Sequence, residues 1–332
     1  MKTAVGKLRD LIPGFAAAVC LMALVAAPVD VSSAQQETVR VQTTLVQVPV
    51  IVSDLQGGSV LGLKAEDFVL RDDGMVRPPA FFTASSEPLK VALVLDTSKS
   101  TVTVLPGIRQ AALDFVSHLR PQDKVMVAAF DFDVRVLCRF GTDLQYVKQA
   151  LRNLQPGDYV GTKMYDAVTQ VAGNFFGSGQ ERKAMILLTD GQDYGSRASM
   201  DGIIRTVLDA GVVVYPVFYS INRRELAKKL FGISLPKSKA GNEEWEKTEK
   251  AAAGMLQQLA EESAGALYRS DAPNLKKAFS RITEELRHQY LLAFYPDPAR
   301  VDGQPHAIQV EVSRPNLTIR FRRSYLATKS AK

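Results

Sequence analysis

The sequence predicts an α/β protein: a doubly wound, mostly parallel sheet flanked by a β-rich, sandwich-like unit drawn from both chain ends. Three observations carry this. Val91–Leu95 and Ala184–Leu188 are continuous apolar runs, as expected of strands buried on both faces. Between and after them, apolar residues recur with a helical period. At both ends of the chain the pattern changes to alternation rich in β-branched residues.

Residues 1–34 read as a secretory signal: Lys2, Lys7 and Arg9, then the apolar run Phe15–Ala27, then Ser32, Ser33 and Ala34. The run is short of the ~20 residues a membrane helix needs. Cleavage after Ala34 removes Cys20 and leaves Cys138 alone, so no internal disulfide is expected in a secreted or periplasmic chain. Residues 35–89 form an N-terminal β-module, with alternation from Val39 to Val52 and turns at Gln56–Gly58 and Asp72–Gly74.

Residues 90–286 form the α/β unit. Ile108, Ala112, Phe115 and Leu119 mark its first helix. Val125–Phe130 is a strand, and Val134–Phe140 pairs with it. Leu144, Val147, Leu151 and Leu154 mark the second helix, and Met164, Val168, Val171 and Phe175 the third. Ile203, Val207 and Ala210 mark a helix ended by Gly211, before a strand at Val212–Phe218. Residues 221–250 are dense in Lys, Arg and Glu and read as a polar, solvated loop inserted ahead of a short strand near Leu267–Tyr268 and a last helix over Leu275–Leu286. Strands return in 287–332 at Gln289–Tyr295, Ala307–Ser313 and Thr318–Ser324, and these are expected to pack with the N-terminal module.

Composition narrows the function. The chain is 46% apolar and 23% charged, which excludes a mostly disordered protein. A net charge of +6 without a long basic run gives no phosphate-tracking surface, so no nucleic acid is expected as partner. Three histidines leave little for a His-built metal site.

The chemistry lies in three loops at carboxyl ends of predicted strands, where open α/β sheets bind ligands. Asp96, Ser98 and Ser100 follow the first apolar strand as Asp-x-Ser-x-Ser; Thr162 precedes the third helix; Asp190 follows Leu187-Leu188-Thr189. Two carboxylates and three hydroxyls are hard oxygen donors, suited to Mg²⁺ or Mn²⁺ rather than Zn²⁺. Neutral hydroxyls leave much of the metal charge uncancelled, so an outside carboxylate is attracted to it.

These five residues, in this order and on these elements, resemble the metal-ion-dependent adhesion site of von Willebrand factor type A domains. The resemblance covers roughly residues 90–286. It implies that Ser98 and Ser100 bind the metal directly, Thr162 in the ligand-bound form, and Asp96 and Asp190 mainly through water, while a partner's Asp or Glu completes the octahedron. The flanks are similar to secreted bacterial von Willebrand factor A-related proteins: Val48-x-Val50-x-Val52, Asp54, Gly57-Gly58, Leu63, Asp67-Phe68 and Asp73-Gly74 early, Tyr290–Pro296 and Arg322-Arg323-Ser324-Tyr325 late.

Catalysis is not expected. Phe130-Asp131-Phe132-Asp133 looks like a phosphatase nucleophile strand, but Arg135 stands where that motif wants Thr or Val. No motif surrounds His118, His288 or His306 to make a triad base. A scaffold that joins envelope proteins through its β-modules, without a functional metal, is the other alternative.

Overall fold

A computed structural model describes residues 45–84, 87–157, 161–177, 181–235, 239–270, 274–297 and 302–327. The expected signal, residues 1–34, and the alternation at Val39–Thr43 lie outside the described residues. The strands are β1 (Val46–Asp54), β2 (Phe68–Asp72), β3 (Met75–Val76), β4 (Phe81–Thr83), β5 (Leu89–Asp96), β6 (Lys124–Phe130), β7 (Val134–Gly141), β8 (Arg182–Thr189), β9 (Val213–Tyr219), β10 (Tyr268–Ser270), β11 (Tyr290–Phe294), β12 (Pro305–Val312), β13 (Leu317–Phe321) and β14 (Ser324–Leu326). The helices are α1 (Leu105–Ser117), α2 (Leu144–Arg152), α3 (Met164–Phe175), α4 (Met200–Ala210), α5 (Arg223–Phe231), α6 (Lys239–Glu262) and α7 (Leu275–Arg287).

The central sheet runs β10-β9-β8-β5-β6-β7, with only β7 antiparallel to its neighbour. Each strand residue alternates between faces. Val91, Leu93 and Leu95 of β5 therefore pack with Ile108 and Phe115 of α1 and Phe279 and Ile282 of α7. Ala92 and Val94 pack on the other face with Val168 of α3, Val207 of α4 and Leu256 of α6. Leu93 is fully buried, so truncating it to Ala would cost about 2–5 kcal/mol. The chain leaves β5 toward β6 on one side and returns to β8 on the other, which opens a crevice above β5 and β8.

Strands from the two chain ends interleave. One sheet runs β13-β1-β11-β4 and another β14-β12-β2-β3, and Val48, Val50, Phe68, Leu70, Tyr290, Leu292, Ile308 and Tyr325 share one core. The Tyr290 hydroxyl accepts from Leu63 N at 3.1 Å and donates to Val60 O at 2.9 Å. Arg182, at the start of β8, donates to Leu286 O and Glu87 O, tying the chain's entry into the α/β unit to its exit.

Two expectations are corrected. Thr318–Ser324 is not one strand: β13 pairs with β1, whereas β14 pairs with β12. The chain changes sheets at Arg322, whose guanidinium is buried and donates to Leu208 O of α4 at 2.8 Å. Residues 221–250 are not a loop. Asn222 caps α5 by accepting from Arg224 N and Glu225 N, and Gly232 ends it in the left-handed region. In α6, Glu243 and Lys247, and Glu246 and Lys250, stand at i,i+4 spacing. The residues that bury the helix, Ala252, Ala253, Leu256 and Leu259, come only after the charged stretch.

Cys138 is buried, and burial pushes its thiol upward, as suits an inert side chain. His306 of β12 is also buried, with Nδ1 2.9 Å from Asp73 Oδ2 and Nε2 3.1 Å from Asp302 Oδ1. The hydrogen bond to Asp73, and then the contact with Asp302, raise its pKa from the ordinary 6.5. Imidazolium can donate to both carboxylates; neutral imidazole can donate to one. This stabilisation is present below pH 6.5 and is lost as pH rises through the raised folded-state value. The melting-temperature difference between wild type and His306→Gln should therefore be largest at acid pH and shrink above neutrality.

Candidate metal centre

The site is built at the carboxyl end of β5. Asp96 is wholly buried. Its Oδ1 accepts from Ser98 N at 2.9 Å, and its Oδ2 accepts from Thr189 Oγ1 at 3.1 Å. Thr101 donates through both its backbone N and its hydroxyl to Ser98 O, closing the 3₁₀ turn Lys99–Thr103 that presents Ser98 and Ser100. Ser98 Oγ lies 2.9 Å from Ser100 Oγ, and Ser100 Oγ donates to Asp190 Oδ2 at 2.8 Å.

Thr162 comes from a different loop and lines the same pocket as Ser98, Ser100 and Asp190. Its backbone is clamped on both sides: Tyr194 N donates to Thr162 O, and Lys163 N donates to Asp131 O, each at 2.7 Å. The three separated segments thus converge on one cleft of about 540 Å³, with Asp96 beneath it holding the Ser98 backbone.

Several contributors are not evident from the sequence pattern. Asp131 is fully buried and binds Arg135 Nη1 at 2.5 Å, while Arg135 Nη2 donates to Thr97 Oγ1 at 3.0 Å. Asp131 and Arg135 therefore brace the β5 loop and the Thr162 loop together. Asp193 Oδ1 accepts from Tyr165 N and Ser196 Oγ and ties the loop after β8 to α3. Phe132, Tyr194 and Trp245 wall the pocket. Trp245 is the chain's single tryptophan, in the charge-dense stretch read as a loop; its uniqueness there was the available signal.

The electrostatics favour a cation. Burial first, then repulsion from Asp190, pushes the Asp96 carboxyl up to about 8. Burial likewise raises Asp190. The phenol of Tyr219, buried in β9, is raised by burial and by both carboxylates. Among the described residues no Lys or Arg forms an ion pair with Asp96 or Asp190. Two buried carboxylates beside hydroxyls and without a basic partner fit a hard divalent cation, which would offset their desolvation.

Asp72, Asp73 and His306 also bring three potential ligand atoms within 4.8 Å of one another. Those atoms already have protein partners: Tyr325 and Arg77 bind Asp72, and His306 spans Asp73 and Asp302. That cluster is a hydrogen-bonded brace between β2 and β12.

Sheet and loops together define an α/β domain that gathers an all-oxygen donor set at its switch point. Residues 91–192 match the family model of the von Willebrand factor type A domain. Among solved structures, it is similar to BatB from Bacteroides thetaiotaomicron, at 20% identity over 60% of this chain and 97% of that one, with a TM-score of 0.47. It is similar to a von Willebrand factor type A protein from Catenulispora acidiphila at 14% identity, over 87% of this chain and 75% of that one, TM-score 0.47. Proximal thread matrix protein 1 from mussel byssus, solved with a zinc-occupied MIDAS motif, matches at 15% identity over 64% of this chain and 49% of its own, TM-score 0.48. No curated protein matches the chain.

Two variants test the geometry. The folded-state pKa of Asp96 lies above the ordinary 3.8, so metal-free protein should lose stability as pH rises from about 4 to about 8. Asp96→Asn removes that loss, and at pH 8 in chelator it should melt about 2–4 °C above wild type. At Gly157 an added Cβ would stand 1.8 Å from Asp131 Oδ2. Gly157→Ala should therefore displace the brace and destabilise the protein by about 2 kcal/mol or more, read by denaturant melting.

Proposed function

We propose that this von Willebrand A-type domain binds a protein partner non-covalently through one divalent cation, Mg²⁺ or Mn²⁺. Ser98, Ser100 and Thr162 would hold the metal through their hydroxyls, and Asp96 and Asp190 mainly through water. The metal supplies positive charge that a partner's Asp or Glu can meet. One observation carries the reading: Asp190 lines one pocket with the hydroxyls of Ser98, Ser100 and Thr162, buried Asp96 holds the Ser98 backbone, and among the described residues no basic side chain pairs with either carboxylate.

Binding rather than catalysis is favoured by what the pocket holds. Among the described residues its lining contains no histidine or cysteine, and His118, His288 and His306 lie elsewhere. Its walls include Phe132 and Tyr194, both exposed aromatics suited to protein contact. The basic and apolar run before Ala34 supports a secreted or periplasmic site of action, and no described helix is long and apolar enough to cross a membrane.

Differential scanning fluorimetry with Mg²⁺ or Mn²⁺ tests the metal. At about 100 times the dissociation constant the ion should stabilise the protein by about 2.7 kcal/mol, about 5–10 °C in melting temperature. The shift should vanish in Asp96→Ala and in the Ser98→Ala/Ser100→Ala double variant, and Trp245 fluorescence should respond to metal in the wild type alone. A partner recovered from the native extracellular fraction should elute with EDTA. Absence of any metal shift would instead favour the β-scaffold reading.

A further inference from the structure

A second large cleft, of about 660 Å³, opens at the carboxyl ends of β9 and β10. It lies on the same edge of the central sheet as the metal pocket, because all the strands involved run parallel. Helix α6 is a wall of both: Trp245 faces the metal pocket, and the adjacent Glu246, with Lys250 one turn on, lines the second cleft. Phe218, Tyr268 and Ala278 contribute apolar surface to it.

The rim is cationic. Lys250, Arg269, Lys277 and Arg281 stand against two carboxylates, Glu246 and Glu249, and Glu249 is engaged by Ser220 Oγ at 2.6 Å. Lys250, Lys277 and Arg281 make no ion pair or hydrogen bond among the described residues, although Lys276 beside them pairs with Asp114. Lys277 and Arg281 are one turn apart on α7, so their charges run along the cleft rather than converging on a point. None of the four cations is buried. A single phosphate would be held by converging, desolvated donors; an extended row of exposed cations over an apolar floor suits an acidic polypeptide.

We propose that this trough takes an acidic segment of the partner, continuous with the Asp or Glu assigned to the metal pocket; it rests on that assignment. Strands are spaced about 4.8 Å apart, which puts the trough about 10–15 Å from the end of β5. An extended chain covers that distance in about three to five residues. The partner segment therefore carries one carboxylate for the metal and further carboxylates about three to five residues away.

The test is fluorescence anisotropy at low salt with the full-length protein and two fluorescein-labelled probes of equal length, hexaglutamate and a glycine peptide with a single glutamate. In Mg²⁺, hexaglutamate should bind more tightly. Lys277→Ala/Arg281→Ala should weaken it about fivefold while leaving the single-glutamate probe and the Trp245 response to Mg²⁺ unchanged. Lys250→Ala, on the opposite wall, should weaken hexaglutamate in the same way and guards against a folding defect in α7. Lys148→Ala/Arg152→Ala removes equal charge from α2, at the far edge of the sheet, and should change nothing. The proposal is overturned if the control weakens hexaglutamate as much, if neither trough variant weakens it, or if an oligothymidylate of equal length binds as tightly and responds identically. Should Mg²⁺ leave Trp245 unchanged while the trough variants still weaken hexaglutamate, the metal assignment fails and the trough stands.

Discussion

Two carboxylates, Asp96 and Asp190, sit buried at the end of a parallel sheet, and among the described residues no basic side chain pairs with them. Taking even one charge out of water costs several kcal/mol, so the rest of this end of the molecule is organised around Asp96 and Asp190. Hydroxyls from Ser100 and Thr189 and backbone N–H groups from Ser98 and Gln192 are aimed at them. These dipoles reduce the cost without cancelling the charge. The buried carboxylates, the hydroxyls around them and the open cleft above are what the proposed cation binding rests on.

The scaffold makes that arrangement rigid. Residues Val91–Leu95 are buried on both faces, so the position of Asp96 follows from the packing of the whole sheet. The Asp131–Arg135 pair performs the same task from the side, linking the β5 loop through Thr97 to the loop that carries Thr162. Gly191 shows how closely the pocket is fitted. Its φ is +74°, and an added Cβ would stand 2.8 Å from the Ala252 Cβ of α6. The loop bearing Asp190 can approach α6 only without a side chain there.

The β unit contributes by anchoring. Arg320 binds Glu285 of α7 and donates to Ala264 O, and Arg322 donates to Leu208 O of α4. Both arginines leave the same terminal segment of the chain, and they fasten the strands to helices on opposite faces of the central sheet. Helix α7, held in this way at Glu285, also carries Lys277 and Arg281 along the trough. The β unit and the proposed partner surface are therefore connected through one helix.

Much of this was legible in the sequence because it depends on local periodicity and on strand-end chemistry. Continuous apolar runs fixed the buried strands, the 3.6-residue period found α1 to α4 and α7, and the residue types at Asp96, Ser98, Ser100, Thr162 and Asp190 identified an all-oxygen donor set. The long charged stretch misled, because α6 buries its apolar residues only after residue 251, and charge alone does not distinguish an exposed helix from a loop. Division of the last strand into β13 and β14 was equally hidden, since β13 pairs with β1, more than 200 residues away, whereas β14 pairs with β12. Sequence thus determined which hard-oxygen side chains stand at the strand ends. Only tertiary packing decided that three distant loops share one pocket, that Asp131 braces them, and that Trp245 and a row of cations stand beside it, because those relations depend on which strands lie next to one another.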